Sequence, residues 1–165
     1  MIFAIDPGTT QSAYVVWNPE KKEVVKHGIV PNMEMFSVIK YWKPEIDKVV
    51  IEMIASYGMP VGREVFETCV WIGRYMCYSQ MHRLIVDRIF RAQCKMEICH
   101  NTRAKDANVR QALIDLFPAT GGGKVPQIGL KKTPGPLFGV SKDVWAALAV
   151  AIAYCKKNNI GPLPF

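Results

Sequence analysis

Ile2-Phe3-Ala4-Ile5-Asp6-Pro7-Gly8-Thr9-Thr10 is the stretch on which the fold turns. A short apolar run ends at an aspartate, and the Pro-Gly pair behind it forces a turn. Outward from it, Ala13 to Trp17 is a second β-rich run. Asn18-Pro19-Glu20-Lys21-Lys22 is a polar turn, and Glu23 to Val30 resumes with valines and Ile29. β-branched and aromatic residues type these runs as strands, which predicts a three-strand meander.

The remainder alternates. Met33 to Trp42 reads as a helix, with Met35, Phe36, Ile39 and Trp42 at helical spacing, and Pro44 stops it. Asp47 to Glu52 is a short strand with an apolar core that ends in a carboxylate. Such strands lie mid-sheet, covered on both faces. Val61 to Met81 is the longest helical candidate. Its apolar residues cover more than one stripe, so it is either buried on several faces or meets another subunit. Leu84 to Phe90 is β-like, and Met96 to Cys99 is a short helix or a strand. Lys105 to Phe117 is an amphipathic helix ended by Pro118. Thr120 to Gly139 holds six glycines and three prolines and reads as a long functional or mobile loop. Val144 to Tyr154 is a final apolar helix. The order β-β-β-α-β-α-β-α-α predicts an α/β fold, a mixed five-stranded sheet flanked by helices.

The chain has 165 residues, enough for one domain spanning 1–165 and too few for two full ones. No apolar run reaches the length of a membrane span, so no membrane partner is expected. The N-terminal residues lack a basic start and a long apolar stretch, which points to a cytoplasmic protein. Five cysteines occur at spacings that match no disulfide scaffold, so they read as reduced thiols. Cys94, Cys99 and His100 stand close together but lack a second ligand pair, and ordinary buried thiols explain them better than zinc. The net charge is +7, which favours a polyanionic partner, nucleic acid first. Between Ala119 and Lys142 there are four lysines (Lys124, Lys131, Lys132 and Lys142) and no acid.

Three carboxylates stand at telling places. Asp6 follows the first strand, Glu52 ends the buried strand and Asp143 enters the last helix. Singly, each has a structural explanation: a turn residue, a strand end, a helix N-terminus. Together, poorly solvated carboxylates repel, and divalent cations relieve that repulsion.

Ile5 to Thr10, Val50-Ile51-Glu52 and Asp143 leading into Ala146-Ala147-Leu148-Ala149-Val150-Ala151-Ile152 resemble the RuvC-type Holliday junction resolvases of the ribonuclease H-like superfamily. Ala104 to Leu113 resembles that family's basic-helix region, and Glu52 to Gly62 is similar to small phage-encoded members. The resemblance implies a ribonuclease H-like fold with Asp6, Glu52 and Asp143 as metal ligands. It implies Mg2+, with Mn2+ able to substitute, and two-metal hydrolysis of a phosphodiester in branched DNA such as a four-way junction. Where the family often carries another aspartate, this chain has Ala146. Asp106 and Glu64 are the acids available to stand in for it. Lys95 and Lys105 fall near family lysines that support cleavage, with Lys105 counted among the catalytic residues.

Lys95, Lys105, Lys124, Lys131 and Lys132 are the nucleic-acid-binding candidates. Tyr57, Phe66 and Phe138 are candidates to wedge or stack on opened bases. Symmetrical cutting of a four-way junction calls for a homodimer, with the 61–81 helix as candidate interface. A ribosomal-RNA-processing nuclease of the YqgF type is the second enzymatic reading. A branched-DNA-binding protein with weakened catalysis is the third. The D-P-G-T-T turn also resembles the phosphate-binding turn of sugar kinases and actin-like ATPases, but that fold needs two such domains.

Overall fold

The computed structural model describes residues 1–56, 58 and 60–162. Tyr57, one of the stacking candidates, lies outside them. The predicted meander forms β1 (Ile2–Asp6), β2 (Gln11–Asn18) and β3 (Glu23–Pro31). β4 (Lys48–Met53) and β5 (Ile85–Phe90) complete a five-stranded mixed sheet in the order β3-β2-β1-β4-β5. β1 runs antiparallel to β2 and parallel to β4, and β4 runs parallel to β5.

The turn after β1 is closed by its own residues. The Gly8 N–H donates to Ser12 Oγ at 3.2 Å, and Asn32 Nδ2 donates to the Gly8 carbonyl at 2.9 Å. A Cβ on Gly8 would stand 2.4 Å from the Gln11 carbonyl oxygen, so only glycine fits there.

The pleat sorts the sheet residues between two cores. Phe3, Ile5, Val49 and Ile51 face one side, where α1 (Asn32–Trp42) and α2 (Arg63–Met81) cover them with Met35, Ile39, Ile72 and Tyr75. Ile2, Ala4 and Val50 face the other, under α5 (Val144–Asn158). α3 (Arg91–Cys99) and α4 (Asp106–Asp115) pack on that side too. The small residues meet there. Ala4 and Ala13 on the sheet lie in one cluster with Ala147 and Ala151, fully buried on α5. That lets α5 sit deep, with an almost unbroken run of buried residues from Val144 to Cys155.

Two expectations change in detail. Met96 to Cys99 is the end of a longer helix that starts at Arg91, directly after β5. The Phe90 N–H donates to Gln93 Oε1 at 3.1 Å and fixes that start. Thr120 to Gly139 is a hydrogen-bonded knot holding a two-stranded hairpin, β6 (Gly129–Leu130) with β7 (Thr133–Pro134). The Gly121 N–H donates to the Pro126 carbonyl and the Leu137 N–H to the Gln127 carbonyl. A Cβ on Gly135 would lie 2.2 Å from the Pro126 oxygen, so the glycines serve close backbone packing. No helix among the described residues is long and apolar enough to cross a membrane.

At the N-terminal edge of β4, Lys48 pairs with Asp87 at 2.9 Å, and Tyr154 of α5 donates to Asp87. The Tyr154 hydrogen bond, then that of Lys48, hold the Asp87 carboxyl below its usual range. A depressed carboxylate stabilises the fold above its unfolded pKa, and that contribution is lost as pH falls through the folded value. Asp87→Asn is therefore expected to lower the melting temperature at pH 7. The gap to wild type should close as pH drops below about 4, which a series of melting curves would show. A gap that stays constant with pH would rule out this electrostatic account.

Candidate active site

The strand register brings the first two carboxylates together. Ile5 pairs with Ile51 across the parallel β1–β4 ladder, so Asp6 and Glu52 follow as neighbours at the strand ends. Residues of like parity share a face. Both therefore project with Ala4 and Val50 toward α5. Neighbouring strands lie about 4.8 Å apart, so the two carboxyls meet. Glu52 is only 7% exposed. Burial, a hydrogen bond with Glu52 and the charge of Glu52 hold the Asp6 carboxyl well above the ordinary carboxylate range.

Asp143 joins them from the start of α5. Its side chain makes no capping hydrogen bond, so helix capping does not explain it. Asp6, Glu52, Asp143 and Ala146 line one cavity of about 150 Å³. Asp106 lines it as well, and Glu64 does not. Ala146 sits one turn after Asp143 and presents a methyl group to the cavity where the resemblance leads one to expect an acid.

Sequence reasoning missed Arg91. Glu52 pairs with Ile89 in the β4–β5 ladder, and α3 begins two residues later, so Arg91 emerges beside Glu52. Its Nη1 lies 3.7 Å from Glu52 Oε1 and its Nη2 lies 2.9 Å from Asp106 Oδ2. Burial works against the Arg91 charge, but Glu52, Asp106 and Asp6 together hold its pKa above the usual arginine value. Lys95 Nζ reaches the other Asp106 oxygen at 3.3 Å. No motif marks Arg91. Only the register of β5 and the helix start reveal it.

The lysine candidates divide. Lys95 lines the cavity, as does Lys142, whereas Lys105 does not. Lys105 is exposed just before α4, and Asp106, the first residue of that helix, is the one turned to the cavity. A neighbouring groove shares Asp106, Arg110, Lys142 and Trp145 with the cavity and is closed by Val125 and Ile128 of the glycine-rich segment. The Arg110 guanidinium stacks 5.0 Å over the Trp145 ring there. Lys124, Lys131 and Lys132 belong to the same segment but line neither space. Phe66 and Phe138 are exposed and also lie off the cavity lining.

Two solved structures have the same architecture. The Thermus thermophilus RuvC structure superposes with a TM-score of 0.68 at 15% identity, covering 96% of this chain and 95% of that one. T. thermophilus RuvC in complex with a Holliday junction substrate gives 0.62 at 16% identity, covering 97% and 96%. The chain has a RuvC-like fold. No family profile and no curated protein sequence matches it. In this RuvC-like fold the carboxylate cavity occupies the carboxyl ends of adjacent parallel strands, where α/β sheets bind ligands.

The donor set fits a hard divalent cation. Two carboxyls brought together, with burial and Glu52 raising the pKa of Asp6, supply oxygen ligands whose repulsion a cation would relieve. Among the described residues no three His, Cys, Asp or Glu side chains gather closely enough to hold a metal by themselves. Magnesium tolerates that, since it commonly uses one or two carboxylates and keeps several waters.

Proposed function

We propose that this chain is a Mg2+-dependent endonuclease that cleaves branched DNA, with the four-way junction as substrate. The observation that carries the reading is the Asp6–Glu52 contact at the end of two parallel strands, with Asp143 on the same cavity. Asp6 and Glu52 would hold Mg2+ or Mn2+, and Asp143 would bind it or orient its waters. When bound, the cation supplies an activated water and offsets charge on the scissile phosphate. Water adds to phosphorus, the P–O bond to the leaving strand breaks, and the leaving oxygen takes a proton. Lys95 and Lys142 add positive charge at the cavity rim, where phosphate oxygens gain negative charge. Lys124, Lys131 and Lys132 would grip the backbone without reading sequence, and exposed Lys105 would do the same beside α4. Residues 1–165 act as a single nuclease domain in this reading.

Support for the substrate comes from the fold, since the T. thermophilus RuvC that superposes on it is seen with a Holliday junction. The direct experiment incubates the protein with Mg2+ and a labelled immobile four-way junction beside linear duplex. Paired nicks at symmetrical positions on the junction, with the duplex intact, are expected. Junction binding without cutting in both Mg2+ and Mn2+ would favour the binding-protein reading, to which Ala146 lends weight.

Twofold cutting requires two sites, and α2 offers a surface to pair them. Its inner face buries Thr68, Ile72, Tyr75 and Ser79. Phe66, Val70, Gly73, Cys77 and Met81 form the opposite, exposed stripe, with Phe66 61% exposed. Gly73 has open space before it, so a second helix can approach closely there. A second copy of the chain is the partner proposed for that stripe. Phe66→Glu with Val70→Glu should turn a dimer into a monomer in sedimentation velocity, and paired nicks into none or unpaired ones. A wild-type chain that sediments as a monomer on and off DNA would exclude this interface.

A further inference from the structure

Ala146 and Arg91 border the same cavity and change its charge in the same direction. One removes a place where an acid would stand, and the other adds a fixed cation. Two divalent ions in one site sit about 3.5–4 Å apart and need acidic oxygens on both sides. Here, among the described residues, Asp6 meets Glu52, Asp143 lines the same cavity and adds its charge, and the position of Ala146 offers a methyl group.

Arg91 is held rather than loose. Asp106 Oδ2 takes Nη2 at 2.9 Å, and Lys95 holds the second Asp106 oxygen at 3.3 Å. Asp106 is thereby spent on cations and is a poor substitute for the missing ligand. At 3.7 Å the contact of Nη1 with Glu52 is an ion pair beyond hydrogen-bond length. A guanidinium carries five N–H donors in a planar fork that suits phosphate oxygens. Among the described residues only the Asp106 bond uses one, so donors remain for a phosphate beside Glu52.

We infer that Arg91 supplies the second positive charge of this site, so that each protomer takes one divalent cation rather than two. The inference rests on the nuclease reading and deepens it. Glu52 would help hold the cation while the guanidinium stands beside it, and Asp106 positions the guanidinium.

The test uses an uncleavable phosphorothioate four-way junction bound to the full chain, titrated with Mn2+ and followed by electron paramagnetic resonance. Wild type should take one ion per protomer, with the six-line spectrum of an isolated Mn2+. Arg91→Ala combined with Ala146→Asp should take two, with a spin-coupled signal. Arg91→Ala alone should bind its single Mn2+ about tenfold more tightly, because a competing charge near Glu52 is gone, while cleavage of ordinary junction falls. Arg91→Lys should keep one ion and recover part of the cleavage.

A spin-coupled pair in wild type overturns the inference and leaves the nuclease reading standing. Mn2+ binding and cleavage that weaken together in Arg91→Ala mark a merely structural arginine and overturn it as well. Failure of wild type to take up any Mn2+ on the junction overturns both readings.

Discussion

Asp6→Asn is expected to abolish cleavage and raise the stability of the metal-free protein at once. Cleavage of a four-way junction in Mg2+ should fall by at least about 1000-fold, the scale set by losing a group that anchors transition-state electrostatics. Binding of the same junction should persist, because the proposed backbone grip uses cationic side chains and not this carboxyl. Without metal, the wild-type cavity forces two carboxyls together under burial, which raises the Asp6 pKa at a cost to folding. Asparagine keeps the shape, carries no charge and donates to Glu52. Its gain should be about 1 kcal/mol, or a rise of about 2–4 °C in melting temperature with a chelator present. Added Mg2+ should then stabilise wild type more than the variant, since a ligand stabilises only the state that binds it. A variant that loses cleavage and melts lower in chelator would show that Asp6 is needed for folding, and the carboxylate pair would no longer carry the functional reading.

The placement of Asp6 and Glu52 could be read from the chain because the signals were local. β-branched runs ended by Pro-Gly and Asn-Pro placed β1 to β3. An apolar run ending in Glu52 placed β4, and the Ala-rich stretch after Asp143 placed α5. A carboxylate at each of these ends is visible without coordinates. Arg91 was not, because its position depends on how β5 registers against β4, a pairing between segments more than thirty residues apart. Lys105 lies off the cavity lining for a different reason. Lys105 is the extended residue before α4 and Asp106 its first helical residue, and it is Asp106 that lines the cavity. Adjacent polar residues give no pattern from which to read that start. The hairpin of β6 and β7 was equally hidden. Strands of two residues carry no alternation, and the glycines that suggest looseness instead permit close backbone packing.

The glycine-rich segment separates two roles that the sequence blends, and two sets of variants should pull them apart. Leu137 is fully buried in the core beneath α5, and its N–H donates to the Gln127 carbonyl at 2.8 Å. It ties the segment down just before Asp143 enters the helix. Leu137→Ala leaves a cavity there and should cost about 2–5 kcal/mol. For a chain of this size that lowers the melting temperature by roughly 4–20 °C. Replacing Lys124, Lys131 and Lys132 together by alanine should leave the melting temperature within about 2 °C of wild type, because surface changes of this kind are nearly neutral. Junction affinity should drop instead, and the slope of log K against log salt should become shallower by about 2–3, near one unit for each phosphate no longer neutralised. The two measurements discriminate because desolvated packing is insensitive to salt and phosphate pairing is not. An unchanged salt slope in the triple variant would assign the segment to scaffolding alone. The DNA grip would then rest on Arg91, Lys95, Arg110 and Lys142, the cations that border the cavity and its adjoining groove.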